Sequence, residues 1–288
     1  MIDYSKFCEI LNKHIFEGEK RELLKRIAES PERFIGLFRP SKPETKILQH
    51  LLQSHEIRFG DALEELIEEI LKDLEYSILP KSITTANGEQ LSLDQFFTDG
   101  ESYYFIEQKI RDDHDSTKKR GQINNFKKKL EELSRRYNNR LIGIMYFVDP
   151  DFVKNRNFYI RELESLYKNY EVPLYLFYGK ELFDFLNSPE YWEKLLYWLT
   201  QWKASLPEIP EINFDTTPLD SFEEIKDLEI KYWIKLLKNE KLWEEGIIKA
   251  IFRTGETLNL ILNYFIDQKS RPYQKLSNLL KDKLNRYY

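Results

Sequence analysis

Within the stretch 91–122, LSLDQFFTDGESYYFIEQKIRDDHDSTKKRGQ, three side chains are of the types needed to break a phosphate ester: Asp94, Glu107 and Lys109. Carboxylate oxygens suit Mg²⁺, a hard cation that keeps several of its waters. Such an ion polarises a phosphoryl oxygen, lowers the pKa of a bound water and steadies a leaving oxygen. An ammonium two residues from a ligand can orient that water or offset charge building on the phosphate. The same residue types also occur as solvated charges on neighbouring strands, so their placement has to decide between the two readings.

Placement follows from the flanking pattern. Two apolar runs, 91–97 and 103–110, surround a Thr-Asp-Gly-Glu-Ser cluster, which predicts a β-hairpin turning at Asp99-Gly100. Alternation along the second run puts Glu107 and Lys109 on one face and Ile106 and Gln108 on the other. Asp94 is expected on the first strand, and folding the strands back brings it close to Glu107 and Lys109. The trio is thus expected at the edge of an otherwise apolar hairpin. Asp99 is the rival carboxylate, but its Asp-Gly context fits a turn better.

A polar segment with charges of both signs, Arg111 to Gln122, leads from Lys109 into a basic helix. From Lys118 to Arg140 there are nine lysines and arginines against only Glu131 and Glu132, although the whole chain carries a net charge of −5. A basic stripe on an acidic body is the footprint of local phosphate contact. Over about residues 58–150 the sequence resembles the PD-(D/E)XK nucleases, and among them the type II restriction endonucleases. Asp94 stands for the family's aspartate and Glu107-Gln108-Lys109 for its E-x-K; Leu93, rather than proline, precedes the aspartate.

The resemblance implies Mg²⁺ held by Asp94, Glu107 and the backbone carbonyl of Gln108. It also implies a helix glutamate near the metal, here Glu64 or Glu65. The substrate would be a short specific sequence in double-stranded DNA, with Arg111, Lys118, Lys119, Arg120 and Gln122 meeting the DNA. One centre per chain and two strands to cut imply a homodimer, with the helical additions at the two ends as the expected contact. A cognate DNA methyltransferase is the implied genetic partner. The alternatives are another nuclease of this superfamily, acting in repair, recombination or phage defence, and a non-catalytic DNA-binding protein.

The elements that must hold this site read as α/β. Helical spacing marks 4–13, 19–29, 44–53 and 60–77, the last with Asp61 as its cap. A basic helix over 123–136 precedes a continuous apolar strand, 141–148, of the kind buried on both faces. Strand, helix and strand in that order make these two strands parallel. A helix over 158–169 and a strand over 172–178 follow. The expected core is a mixed β-sheet of the restriction-endonuclease-like type flanked by helices. Beyond Gly179 the reading is helical: 181–186, 189–206, 221–239, 241–252 and 255–268, then a tail. The expected divisions are a helical N-terminal region at 1–58, a nuclease core at 59–180 and a helical C-terminal region at 181–288.

Composition narrows the class further. The chain has 288 residues, 32% charged and 15% aromatic, with few Gly and Pro, which fits a helix-rich globular protein. The longest apolar run is far short of a membrane span, and the charged start MIDYSKFCEI carries no secretory leader pattern. Cys8 is the single cysteine, so no disulfide forms within the chain and the cytoplasm is the natural compartment. Four scattered histidines make no zinc site. No phosphate-cradling glycine loop or nucleophile elbow is present. The acidic run Asp112, Asp113 and Asp115 around His114 reads as a flexible loop of self-repelling carboxylates.

Overall fold

The computed structural model describes residues 2–38, 40–85 and 87–288. Its strands are β1 (Ser77–Ile78), β2 (Ser82–Thr84), β3 (Gln90–Ser92), β4 (Gln95–Thr98), β5 (Tyr103–Lys109), β6 (Leu141–Phe147) and β7 (Leu174–Tyr178). Five of them form one sheet in the order β1–β4–β5–β6–β7, while β2 and β3 pair as a separate antiparallel ribbon. Strand β4 is antiparallel to both β1 and β5, and β5, β6 and β7 run parallel. An antiparallel hairpin extended by parallel strands is the mixed sheet expected from the pattern.

The first apolar run does not form one strand. It breaks at Leu93-Asp94, so β3 belongs to the ribbon and β4 to the main sheet. The Leu93 N–H bonds back to the Lys81 carbonyl at 2.8 Å. Asp94 therefore sits at a corner between two sheets, not within a strand. The short strands β1 and β2 carry too few residues to show a period, which is why the pattern does not reveal them.

The helices of the first half are α1 (Tyr4–Ile15), α2 (Glu19–Glu29), α3 (Pro43–Asp73), α4 (Ser116–Tyr137), α5 (Arg156–Tyr170), α6 (Lys180–Phe185) and α7 (Glu190–Ser205). Where two helices were expected over 44–53 and 60–77, α3 is continuous, and Asp61 is interior rather than a cap. Glycine inside a helix costs only about 1 kcal/mol relative to alanine. Burial of Leu63, Leu66, Ile67, Ile70 and Leu71 beyond Gly60 outweighs that. Among the described residues no helix is long and apolar enough to cross a membrane.

The chain groups into two compact units, Met1–Asn12 with Phe59–Leu206 and Lys13–Arg58 with Pro207–Tyr288. In the first unit, one face of the main sheet is packed by Phe105, Met145 and Phe147 against Phe126, Leu130 and Leu133 of α4 and Tyr159 of α5. The second unit adds α8 (Pro218–Ile225), α9 (Ile230–Lys238), α10 (Glu240–Glu244), α11 (Ile247–Ile251), α12 (Glu256–Asp267) and α13 (Arg271–Tyr287). Its core joins Leu24, Ile27 and Ile47 to Trp233, Ile251 and Phe265. The expected helix 221–239 is two helices, with Leu228 buried between them. The expected helix 241–252 divides at Gly246, whose φ of 79° ends the first piece. The tail is itself helical, with Leu276, Leu280 and Leu284 buried at one-turn spacing.

Gly143 on β6 lies in register with Phe105, two residues before Glu107 on β5. A Cβ at this position would come within 2.7 Å of both Phe105 Cε1 and Leu174 Cδ2. Gly143→Ala should therefore force both side chains aside and cost about 1–3 kcal/mol. The expected result is a lower urea midpoint with an unchanged m-value. An unmoved midpoint would show that the strand accommodates the methyl group.

Candidate active site

The hairpin register pairs Gln95 with Ile106, and carrying it one residue further sets Asp94 opposite Glu107. Because the chain turns away at Asp94, no backbone carbonyl is left for the Gln108 N–H. The Asp94 side chain takes that role, with Oδ2 accepting from Gln108 N at 2.7 Å. A short carboxylate replacing a ladder bond is the usual way such residues end regular structure. Glu107 and Lys109 share the face turned towards α4. The ammonium of Lys109 lies 2.9 Å from Asp94 Oδ2, 3.1 Å from Glu107 Oε1 and 2.6 Å from the Gln108 carbonyl oxygen. Burial works against that charge, but Glu107 and Asp94 outweigh it and hold the lysine above its usual pKa.

A second cation completes the cluster. Lys129 of α4 is buried, its Nζ in a short contact with Glu107 Oε2 and 3.7 Å from Asp94 Oδ1. Asn125, one turn earlier on the same helix, donates to Glu107 Oε1 at 3.4 Å. The sequence shows Lys129 only as part of the basic stripe. One signal could have singled it out: it falls on the apolar face of its helix, three residues after Phe126 and beside Leu130. Glu107 itself is only 2% exposed, so the cluster is not the accessible strand edge that the pattern implied.

Glu64 of α3 feels the charge of this cluster. Burial, then the charge on Asp94, push its carboxyl up to about 7. Among the described residues no three Asp, Glu, His or Cys side chains converge tightly enough to hold a metal. The oxygens that do converge are Asp94 Oδ2, Glu107 Oε1 and the Gln108 carbonyl, and they meet on the Lys109 ammonium. A donor set made only of oxygens, two of them anionic, fits a hard divalent ion and not zinc. Such an ion would take the place of the Lys109 ammonium.

Asp99 serves the turn. Its Oδ1 accepts from the N–H groups of Glu101 and Ser102 at 2.9 and 2.8 Å, and its Oδ2 from the Tyr104 hydroxyl at 2.7 Å. The acidic segment 112–115 is not a self-repelling loop. Asp112 is fully buried and accepts from Asn155 N, Asn155 Nδ2 and the Tyr178 hydroxyl at 2.7, 2.8 and 3.0 Å. Asp115 accepts from the N–H groups of Thr117 and Lys118, both at 2.9 Å, at the start of α4. Local hydrogen bonds outweigh the like-charge repulsion that the sequence suggested.

The residues expected to meet DNA divide by environment. Lys118 and Arg120 are exposed. Lys119 donates to Asn155 Oδ1 at 3.1 Å and lies over the Phe158 ring. Arg111 pairs with Asp149 at 3.5 Å. The Gln122 amide accepts from the Tyr159 hydroxyl and lies 3.3 Å from the His114 ring nitrogens. Further along the stripe, Arg135 and Arg136 pair with Glu131 and Glu132 on their own helix.

Comparison with known proteins identifies a family. The family model described as Type II restriction endonuclease, HinfI, matches residues 3–88 and 78–203. No curated protein matches the chain. Enzymes of this kind generally use a divalent metal ion, in keeping with the oxygen cluster. The matched segments cover most of the chain, including α3 with its glutamates, the corner at Asp94 and the strand that carries Glu107 and Lys109, and the chain therefore belongs to the HinfI family of type II restriction endonucleases, site-specific deoxyribonucleases that bind double-stranded DNA.

Proposed function

We propose that the cluster around Asp94 is the centre at which this endonuclease hydrolyses a phosphodiester bond, with Mg²⁺, at a short specific sequence. One observation carries the assignment: Asp94 Oδ2, Glu107 Oε1 and the Gln108 carbonyl oxygen converge on a single cation, the Lys109 ammonium. The arrangement is consistent with the PD-(D/E)XK kind of nuclease. When bound, Mg²⁺ would supply polarisation of the phosphate and acidification of the attacking water. Asp94, Glu107 and the Gln108 carbonyl would hold it, and Glu64 of α3, which feels the charge on Asp94, is the helix glutamate on that side. Lys109, displaced from the oxygens but still tethered beside them, orients the water or offsets charge on the phosphate.

Lys118 and Arg120 contact the DNA backbone in this reading, with Arg111, Lys119 and Gln122 as neighbours shaping that surface. Such contacts position an enzyme without reading sequence. The chemistry belongs to 59–180, and the helical regions 1–58 and 181–288 supply the remaining contacts. A chain with one centre cuts both strands of a symmetric site as a homodimer. A DNA methyltransferase of the same specificity would shield the host's own sites, and both enzymes would act in the cytoplasm.

A mapped plasmid and single-turnover kinetics test the assignment. With Mg²⁺ the parent should give discrete bands. Asp94→Ala and Glu107→Gln should lose cleavage by on the order of 100-fold or more, yet still bind DNA in Ca²⁺. Lys109→Ala should retain binding and lose cleavage on a similar scale. Asp99→Ala should cut at the parental rate and melt earlier, because it removes only hydrogen bonds of the turn. Parental cleavage by Asp94→Ala would place the centre elsewhere.

Neutralising Lys118 or Arg120 should weaken binding to all sequences alike. The slope of log affinity against log salt should become shallower by ~0.9 for each phosphate that is no longer neutralised. A changed sequence preference instead would make these residues base readers. Sedimentation of the DNA complex should find two chains; a single chain that cuts both strands in one encounter would refute the dimer.

A further inference from the structure

Glu107 presents its two oxygens to two different ammonium groups. Oε2 meets Lys129, whereas Oε1 lies 3.1 Å from Lys109 and 3.4 Å from Asn125 Nδ2. Asp94 is divided the same way: Oδ2 accepts from Lys109 and from Gln108 N, and Oδ1 lies 3.7 Å from Lys129. The two lysines differ in access, the side chain of Lys109 being 32% exposed and that of Lys129 only 4%. Lys109 has a route to water when another cation takes its place. Lys129 stands on the buried face of α4 with Phe126, Leu130 and Leu133, and has none.

We infer that Lys129 is a positioning residue that makes Glu107 a one-oxygen ligand. It holds Oε2 on the inner side, so that Oε1, Asp94 Oδ2 and the Gln108 carbonyl alone face the place a divalent ion takes. The inference rests on the catalytic reading of this cluster and goes beyond it by assigning a task to the second lysine. Its consequence is a choice between ions. Mg²⁺ demands near-octahedral geometry and keeps several waters, whereas Ca²⁺ tolerates more oxygens and accepts a carboxylate through both. A glutamate restrained to one oxygen leaves the places that solvent and phosphate need around the smaller ion. Freed from Lys129, Glu107 could offer both oxygens and favour the larger one. A lysine that merely neutralised two buried acids would not affect that choice.

The test measures binding of MgCl₂ and CaCl₂ to the full-length chain by titration calorimetry, with thermal unfolding in parallel. Losing a positive charge raises affinity for both ions, so the ratio of the two affinities is the readout. Lys129→Met should shift that ratio towards Ca²⁺ by roughly tenfold or more, the scale on which partners of metal ligands act. In a Glu107→Gln background the same substitution should shift it no further, because the effect travels through Glu107. An unchanged ratio in Lys129→Met, with only a lower melting temperature, overturns the inference and leaves the metal site standing. A parent chain that binds neither ion overturns the catalytic reading and the inference together.

Lys129→Met leaves buried carboxylates without their cation and could fail to fold, so a second measurement uses the parent chain. Lysine ammonium groups labelled with ¹⁵N are followed by NMR, with Lys109→Ala for assignment. On adding Mg²⁺ the Lys109 signal should move and the Lys129 signal should persist. Displacement of both shows that Lys129 is not the fixed cation and refutes its role.

Discussion

The carboxylate of Asp94 bonded to the N–H of Gln108 is the contact on which the candidate site depends. At this point the chain leaves one sheet for another, and the hairpin ladder would otherwise end with an unpaired donor on buried Gln108. An unpaired backbone group away from water costs about 1–3 kcal/mol, so the side chain is drawn onto the strand. The same bond places Asp94 Oδ2 beside the Gln108 carbonyl and Glu107, and so gathers oxygens from a corner residue and a strand. Satisfying the backbone and building the oxygen cluster are one event.

The cost of that arrangement is charge in a buried place. Asp94 and Glu107 would repel each other, and Glu64 already shows the strain, its carboxyl pushed up to about 7 by burial and by Asp94. Two lysines from different elements relieve it, Lys109 from β5 and Lys129 from α4. Removing one partner of a buried pair is far more damaging than never having had the pair. Of the two lysines, Lys109 is the one with access to water, its side chain a third exposed where that of Lys129 is buried.

The hairpin was legible because its signals are local: the Asp-Gly turn, the alternation that puts Glu107 with Lys109, and the apolar run at β6. The corner at Asp94 was not, since Leu91 to Phe97 reads as an unbroken strand and only pairing with β2 separates the two halves. Helix lengths differ from the pattern in both directions. Gly60 looks like a boundary because its propensity is poor, yet buried leucines on either side carry α3 through it. At 226–229 nothing in the sequence breaks the helix, and burial of Leu228 does. Lys129 is hidden by its company, one of three successive lysines, of which α4 turns the third into the core. Its task depends on a sheet that packs against it, which no window of sequence contains.

Buried Asp112 shows how the site is tied to the surface expected to meet DNA. The segment after Lys109 carries like charges, yet Asp112 is anchored by the backbone and side chain of Asn155 and by the Tyr178 hydroxyl. That hydroxyl is held above its usual range by burial and by the neighbouring charge of Asp112, so it remains a donor. Asn155 passes the restraint on, accepting from Lys119 and donating to the His114 carbonyl. Asp115 then fixes the first turn of α4. The chain after Lys109 is thereby tied to Tyr178 of β7 and to Asn155 at the start of α5. Lys118 and Arg120 follow directly, exposed on the first turns of α4. Charge repulsion alone would have left this segment loose; its hydrogen bonds instead tie Asp112 to Asn155 and Tyr178 and Asp115 to the first turn of α4.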